Sequence, residues 1–397
     1  MKVFPISAYT PVPALAGRIA CTSLAPNLSD LARDPESYLN VVKPQLNEPG
    51  LRQGSIEFME ASYGHFQALI QRNSLQQQES ACWLYLQELP DGNRFEGWIL
   101  GISALDYEEG KIRRHENTIR EKESRLSQHI RLLGSVAEPV LLAASLPESL
   151  ARLAREIKKA PAHLDFMDPV GRRHVLWMLS SEEAIRQIRE DFAGIPRLYI
   201  ADGHHRSAAT CLCIREAGLN PEKNGVMALV LDKRSLSIKS FHRVIHAQAP
   251  AWKLEETCRV RGWEFSRQAE PSKEIGAGTI VALSEEGRFL LKPGPVREGS
   301  DYASSLDVAR LEAELFPALF GIENSRIDSR ISFLRGDVPQ NQLEEILTEG
   351  HAGWIFMISA NSMDDIEKVA DAGEVMPPKS TWVEPKLMTG MLIMRLT

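Results

Sequence analysis

Short apolar runs alternate with segments of helical periodicity along the chain, and this alternation restricts the folds that it can adopt. The apolar runs Val140–Ala144, 174–179 and 226–231 have the length and composition of buried strands. The segment 182–192 places apolar residues at helical spacing, with a serine before it that can cap a helix. Because neither kind of element occurs in a long series, the sequence predicts a mixed α/β (α+β) fold.

The length of the chain predicts two domains. It has 397 residues, more than a single hydrophobic core usually serves. The alternation of strands and helices passes Pro250 and begins again beyond it, with apolar segments at 279–283 and 353–358. We therefore predict a core domain with an N-terminal extension over 1–248. A second α/β domain is predicted over 249–397, with a lysine-rich loop that returns toward the site of the first.

Composition and charge favour a soluble cytoplasmic protein. Hydrophobic residues make up 43% of the chain and charged residues 25%, as in ordinary globular proteins. The net charge of -7 argues against nucleic acid as a partner, and no apolar run is long enough to span a membrane or act as a signal peptide. Five cysteines without a CxxC pair indicate a reducing compartment and no disulfide framework. The sequence predicts no particular oligomeric state.

The segment 198–206, LYIADGHHR, is the strongest candidate for a functional site. An apolar strand is followed by a tight turn and the start of a helix. A helix start offers backbone N–H groups and the positive end of the helix dipole, and both favour an anion. Gly203 permits a sharp turn, and Arg206 can donate in a fork to phosphate oxygens. The sequence therefore predicts a phosphate site formed by Gly203, His204, His205 and Arg206.

Asp202 and His204 are candidate catalytic groups of this site. Asp202 can ligate Mg²⁺ or accept a proton from a hydroxyl, and either histidine can bind phosphate or transfer protons. In the plain alternative, Asp202 is only a helix cap and the polar residues only fill a first turn. The adjacent histidines do not predict a zinc site, because they point in different directions on a helix and lack a third spaced ligand.

Three further segments with histidine, arginine or lysine side chains are candidates for substrate binding. The first follows a predicted strand that ends at Tyr107. Each segment also has a purely structural alternative: a solvated charged hairpin for 111–125, a surface strand for 241–244 and a rigid terminal loop for 376–386. The candidates are His115, Glu116 as a possible base, and Arg125 from 111–125; His242 and Arg243 from 241–244; and Lys379, Ser380, Thr381 and Lys386 from the proline-stiffened loop 376–386.

Several common nucleotide and hydrolase motifs are missing from the sequence. It contains no Walker loop, no GxGxxG after a strand and no GxSxG elbow. Enzymes of those classes are therefore disfavoured.

Four motifs in order resemble the family called domain of unknown function 1015. They are YEEGKIRRHENT at 107–118, LYIADGHHR at 198–206, FHRV at 241–244 and MPPKSTWVEPK at 376–386. The family commonly has a Pro-Pro-Tyr-Asp-like segment near its N-terminus, whereas residues 20–27 here read ACTSLAPN. If that segment binds substrate, the substrate or even the activity of this chain differs from that of its relatives.

The Asp-Gly-His-His-Arg box is in turn similar to that of the ParB and sulfiredoxin superfamily. The resemblance implies a ParB/sulfiredoxin-like nucleotide-binding core in which the turn and helix start hold the phosphates of ADP or ATP. Carried over by motif, Gly203, His204, His205 and Arg206 bind phosphate, and Asp202 assists Mg²⁺ or the substrate hydroxyl. The superfamily includes kinases that phosphorylate free L-serine.

Three hypotheses follow. The first is a small-molecule kinase that transfers a phosphoryl group from ADP or ATP to a hydroxyl, with L-serine as the implied acceptor. Asp202 or Glu116 is then the candidate base, and Lys379 or Lys386 a supporting cation. The second is a ParB-like, nucleotide-binding regulator that contacts DNA, although no helix-turn-helix segment is evident. The third is a non-catalytic binding protein.

Overall fold

The computed structural model describes residues 1–22, 24–268 and 275–396; Ser23, within the departing segment 20–27, lies outside these ranges. The strands are β1 (Val3–Phe4), β2 (Ala8–Pro11), β3 (Leu75–Gln77), β4 (Cys82–Glu88), β5 (Arg94–Ser103), β6 (Ile112–Arg113), β7 (Ser135–Val136), β8 (Val140–Ala144), β9 (Leu164–Met167), β10 (Arg173–Leu179), β11 (Leu198–Asp202), β12 (Gly225–Asp232), β13 (Ser237–Lys239), β14 (Phe241–Ile245), β15 (Glu264–Gln268), β16 (Ile280–Ser284), β17 (Gly287–Lys292), β18 (Ile331–Arg335), β19 (Trp354–Ile358), β20 (Trp382–Glu384) and β21 (Ile393–Arg395).

The helices confirm the predicted mixture of both element types. They are α1 (Ala16–Ile19), α2 (Leu28–Ala32), α3 (Leu39–Val42), α4 (Ile56–Gln71), α5 (Ala104–Glu108), α6 (Arg120–Leu133), α7 (Glu148–Ile157), α8 (Glu182–Ala193), α9 (His204–Glu216), α10 (Ala251–Arg261), α11 (Tyr302–Ser305), α12 (Asp307–Arg310), α13 (Phe316–Phe320), α14 (Gln340–Thr348) and α15 (Met363–Asp371). The fold class is mixed α/β.

The described chain divides into two compact units. The first contains Met1–Arg113, Asn117–Leu236 and Pro385–Thr397, and the second contains Arg114–Glu116 and Ser237–Glu384. The change of unit therefore comes at 236/237, ahead of the predicted boundary at 248, because β14 pairs with β18 and β19 of the second unit. The end of the chain rejoins the first unit, where β21 pairs with β2 and β7.

A mixed sheet forms the centre of the first unit. In the described residues its order is β6-β11-β8-β12-β5-β4-β10-β9, with β1 also paired to β5. β8 is buried along its whole length, as expected for a strand that is covered on both faces. The pairing of β11 with β8 shifts register between Ile200 and Asp202, immediately before the predicted phosphate turn. Such an irregularity changes the direction of the side chains that follow it.

Helix α8 illustrates how the sequence directs the local structure. Ser181, a serine directly before the predicted helix, accepts a hydrogen bond from the Ala184 N–H at 3.3 Å. Its buried face, which includes Ile188 and Phe192, packs into the main core of the sheet. The predicted helix at this position is thus confirmed.

The predicted strand ending at Tyr107 is wrong, since this residue lies in helix α5. The hydroxyl of Ser103 caps that helix by accepting the Leu105 N–H at 3.2 Å. The fully buried carboxylate of Asp106 then accepts a hydrogen bond from Lys111 Nζ at 2.8 Å. A run this short carries no periodicity that separates a helical turn from a strand.

The second unit contains an antiparallel sheet with the order β15-β17-β16-β19-β14-β18, and β13 pairs separately with β20. The surface-strand alternative for 241–244 is wrong, because every residue of β14 is buried. Across the described chain, all five cysteines are buried and unbridged. No described helix is long and apolar enough to cross a membrane.

A buried chain of polar side chains crosses the sheet of the first unit. The hydroxyl of Tyr85 lies 2.8 Å from Nδ1 of His174, whose Nε2 lies 3.3 Å from Oδ2 of Asp168. Oδ1 of Asp168 accepts the N–H groups of Val170 and Arg172, both at 2.9 Å. Burial raises the pKa of Asp168, but His174 and these N–H groups outweigh burial and hold the pKa below its ordinary value. The buried carboxylate is therefore ionised at neutral pH.

We predict that His174→Phe destabilises the protein by about 2–4 kcal/mol, because it leaves a buried carboxylate without its side-chain partner. Urea unfolding measures the change, and the control is Asp165→Asn, which removes a partly exposed ion pair with Arg173. The Asp168 carboxylate contributes its stability above its unfolded pKa of about 3.9 and loses it as the pH falls through the folded value. Equal stability of both variants and the wild type would contradict this assignment.

Candidate functional site

The strand-turn-helix predicted at 198–206 is present. β11 ends at Asp202, Gly203 takes a left-handed conformation with φ of 102°, and α9 begins at His204. Because the helix begins at His204, the two histidines and Arg206 form its first turn. A Cβ added at Gly203 would lie 3.1 Å from Cζ of Arg206 and 3.3 Å from Cγ1 of Val140. Both the backbone conformation and the close approach therefore favour glycine here.

The start of α9 keeps the electrostatic character of a helix N-terminus. Within the described residues, no side chain caps it and its first turn contains no carboxylate. Helices α4 and α8, by contrast, are capped by serine and carry glutamate in the first turn. An uncapped start without acidic residues favours binding of an anion.

Two cations and two carboxylates meet at this turn. Oδ2 of Asp202 lies 3.3 Å from Nη2 of Arg206 and 3.4 Å from Nζ of Lys386. Oε1 of Glu138 lies 3.0 Å from Nη1 of Arg206, which also donates to the carbonyl of Pro139. The side chains of Arg206 and Lys386 are only 19% and 21% exposed, so water screens them less than surface charges. We call Asp202, Arg206, Lys386 and Glu138 the turn cluster.

Asp202 is better suited to hold cations than to accept a proton. Burial raises its pKa, but the nearby Arg206 and Lys386 outweigh burial and leave the pKa below its ordinary value. A carboxylate with a lowered pKa is a weak general base at neutral pH. Its position orients both cations at the helix start.

The backbone of Lys386 is fixed from within the sheet. Nε2 of Gln87 donates to the Lys386 carbonyl at 3.0 Å and lies 3.2 Å from the Tyr85 hydroxyl. The buried chain of Tyr85, His174 and Asp168 therefore continues to this lysine. The Thr389 hydroxyl in the same C-terminal segment donates to Glu138 at 2.7 Å. Lys386 is predicted from the sequence, but Glu138 and Gln87 are not, since isolated acidic and amide residues carry no local signal.

A cavity of about 400 Å³ adjoins the turn, and His205 is part of its wall. Arg125 of α6 lines the same cavity, so two residues predicted from separate motifs come together. Lys122 and His129 of α6 add polar groups, and Phe58 of α4 adds an aromatic wall. A volume of this size falls in the usual range for small-molecule sites.

In the second unit, Arg243 braces the proline-rich loop. Its side chain is 1% exposed and lies 2.7 Å from Glu312. It donates to the carbonyls of Pro378 and Lys379 at 3.1 and 2.9 Å. This position does not support the predicted contact between Arg243 and substrate, because the guanidinium already contacts a carboxylate and two backbone carbonyls.

His242 is equally enclosed. Its Nδ1 accepts the Ile358 N–H at 3.4 Å, and burial, reinforced by Arg243, lowers its pKa to about 4. The imidazole is therefore neutral at physiological pH and provides no charge for an anion. Its buried place in β14 does not support the predicted contact with substrate.

Of the remaining candidates of the second unit, Lys379, Ser380 and Thr381 lie in this loop, and His115 contacts it. The carbonyl of buried His115 accepts the Met376 N–H at 2.9 Å, which joins the first and last motifs. The buried Ser380 donates to the Pro377 carbonyl at 2.7 Å, and Lys379 has a left-handed φ of 56°. Glu116 and Thr381 are half-buried. These contacts order the loop without defining a ligand site within this unit.

The residues do not fit a metal ion at Asp202. No group of three or more His, Cys, Asp or Glu side chains capable of holding a metal occurs in the part of the chain that the structure describes. Oδ2 of Asp202 already lies within 3.4 Å of two cationic groups, which would repel a third cation.

The resemblance to this family is supported by a comparison with family models. The model described as "Protein of unknown function (DUF1015)" matches residues 26–309. The chain belongs to the DUF1015 family. No curated protein matches this DUF1015 chain.

Solved structures show a distant likeness. One is a mutant free serine kinase in complex with AMP, which is 13% identical to this chain. The match covers 75% of this chain and 92% of the kinase chain, with a TM-score of 0.39. The same kinase with ADP is 14% identical, with 75% and 92% covered and a TM-score of 0.39. A conserved hypothetical protein from Pyrococcus furiosus is 14% identical, with 73% and 94% covered and a TM-score of 0.36. At this level, likeness is no basis for assigning function.

We predict that Gly203→Ala destabilises the DUF1015 protein by about 1–2 kcal/mol, because an L-residue is strained at this φ. The new methyl group would also meet Arg206 and Val140. Thermal unfolding measures the loss. Gly194→Ala is the control, since Gly194 has an ordinary helical φ of -74° and no close backbone clash. A Gly203 variant as stable as the control would show that the turn is not constrained as described.

Proposed function

We propose that this DUF1015 protein binds the phosphates of ADP or ATP at the start of α9 and transfers a phosphoryl group to the hydroxyl of a small molecule. The observation that carries the proposal is the turn cluster, which holds Arg206 and Lys386 beside an uncapped helix start. Backbone N–H groups at a helix start and forked arginine donors are both suited to phosphate oxygens.

The turn cluster supports phosphate binding because its long side chains are held in place. Arg206 contacts Glu138, Asp202 and the Pro139 carbonyl, and the backbone of Lys386 is fixed by Gln87. Less side-chain freedom is then lost when a ligand binds. Phosphoryl transfer depends mainly on such positioning and on stabilisation of charge.

In the proposed reaction, the acceptor oxygen forms a bond to the terminal phosphorus. The bond between that phosphorus and the bridging oxygen of the nucleotide breaks, and the leaving phosphate keeps the electron pair. Arg206 and Lys386 stabilise the charge that develops on the phosphate oxygens. The hydroxyl proton passes to His205, whose imidazole lines the adjacent cavity. Asp202 stays ionised and holds the cations.

Magnesium is not assigned to a residue of the turn. Mg²⁺ commonly accompanies nucleotide phosphates and needs only one or two protein carboxylates. Since Asp202 does not fit this role, the steps above depend only on side chains of the chain itself.

We predict that the purified protein, incubated with ATP or ADP and a panel of hydroxyl compounds that begins with L-serine, forms a phosphorylated product. The choice of L-serine follows from the similarity of the Asp-Gly-His-His-Arg box to the superfamily. Phosphorus NMR identifies the product, in reactions with and without Mg²⁺. If both nucleotides bind but no compound of the panel is phosphorylated, the result favours the non-catalytic alternative.

We predict that Arg206→Gln weakens nucleotide binding by about 10- to 100-fold, the range for a lost hydrogen bond to a charged group. Calorimetric titration with ADP measures this, and Lys386→Gln is a second variant with an effect in the same direction. The matched control is Arg215→Gln, on the same helix but far from its start and 66% exposed. The proposal fails if ADP does not bind or if the Arg206 and Arg215 variants bind it equally.

A further inference from the structure

The walls of the cavity beside His205 combine positive charge with an apolar surface. Lys122 and Arg125 provide the charge, and Phe58, Met59 and Leu126 provide the apolar part. No Asp or Glu is found among the described residues that line it. A ligand that fits this surface has a negative group and an apolar body.

Arg125 has room for its side chain at the cavity and only a weak acidic partner. Gly54 has a φ of 89°, and a Cβ at this position would lie 3.3 Å from Cδ of Arg125. The absent side chain thus makes room for the stem of the arginine. Glu121 reaches Arg125 only at 3.7 Å and is 80% exposed, so it is a weak partner. A ligand carboxylate can replace it.

The histidine of α6 does not alter the charge of the site. Burial lowers the pKa of His129, against the opposing hydrogen bond with the backbone of Val41. The ring is therefore neutral at physiological pH. It stands 6.2 Å from the ring of Phe58, at an interplanar angle of 53°. Both rings line the cavity.

The absence of an acidic group from this lining also determines which ligands the cavity disfavours. An amino acid brings an ammonium group that needs an acceptor of negative charge when it leaves water. Lys122 and Arg125 would repel that group. A hydroxy acid of the same skeleton keeps the carboxylate and replaces the ammonium with a neutral hydroxyl.

We propose that this cavity binds the phosphoryl acceptor, and that the acceptor is an apolar α-hydroxy carboxylate rather than an amino acid. Its carboxylate contacts Arg125 and Lys122, its apolar body lies against Phe58 and Met59, and its hydroxyl faces His205. The inference rests on the proposed kinase function. It narrows the acceptor from any hydroxyl compound to one chemical class.

The test compares two probes of the same configuration that differ only at one group, L-phenyllactate and L-phenylalanine. Calorimetric titration of the full chain is expected to show phenyllactate binding at least about tenfold more tightly, because the ammonium has no acidic partner. Equal or tighter binding of L-phenylalanine or L-serine overturns the inference, as does the absence of phenyllactate binding.

Variants locate the binding event. Arg125→Gln and Lys122→Gln are each expected to weaken phenyllactate binding by about tenfold or more. Arg131→Gln removes an exposed arginine of the same helix that does not line the cavity, and it should leave the affinity unchanged. If all three variants bind like the wild type, the probe binds elsewhere and the inference is overturned.

A parallel titration with ADP separates this inference from the proposed function. A chain that binds ADP through Arg206 but not phenyllactate overturns only the inference. A chain that binds phenyllactate but neither nucleotide overturns the kinase and, with it, the role of the ligand as an acceptor. If ADP displaces phenyllactate and needs Arg125, the cavity holds the nucleoside instead, and the inference is wrong.

Discussion

The ion pairs between Asp202, Arg206 and Lys386 are the interaction on which the account of the site depends. One carboxylate oxygen lies within 3.4 Å of both cationic groups at the point where β11 gives way to α9. Without Asp202, the positively charged side chains of Arg206 and Lys386 would repel each other at this turn. With it, the cations stay beside a helix start that itself favours an anion. In the proposed function, the carboxylate holds the two cations and takes no part in proton transfer.

The cluster depends in turn on the interior of the sheet. A path of polar contacts runs from Asp168 through His174, Tyr85 and Gln87 to the carbonyl of Lys386. A buried polar group that loses its partner destabilises the folded protein, so one arrangement of these side chains is favoured. It couples the position of a C-terminal lysine to the packing of β4 and β10. A residue near the end of the chain thereby joins a site whose other members lie at 138–206.

Much of the fold and the strand-turn-helix at 198–206 could be predicted from sequence, because both are encoded locally. The apolar run of β8 and the cap at Ser181 each carry their signal within a few residues. The same is true of the strand, glycine and basic turn at 198–206. Long-range information is what the sequence lacks. The burial of His242 and Arg243 follows from the partners of β14, and the role of Gln87 follows from a contact with a residue 299 positions away.

Nucleotide binding at this turn can be seen in a crystal of the protein soaked with ADP. We expect phosphate density at the start of α9, within hydrogen-bonding distance of backbone N–H groups between Gly203 and Arg206, with a phosphate oxygen in contact with Lys386. Nucleotide density at another place, or at this turn with the phosphates directed away from Arg206 and Lys386, would show that the turn cluster is not a phosphate site.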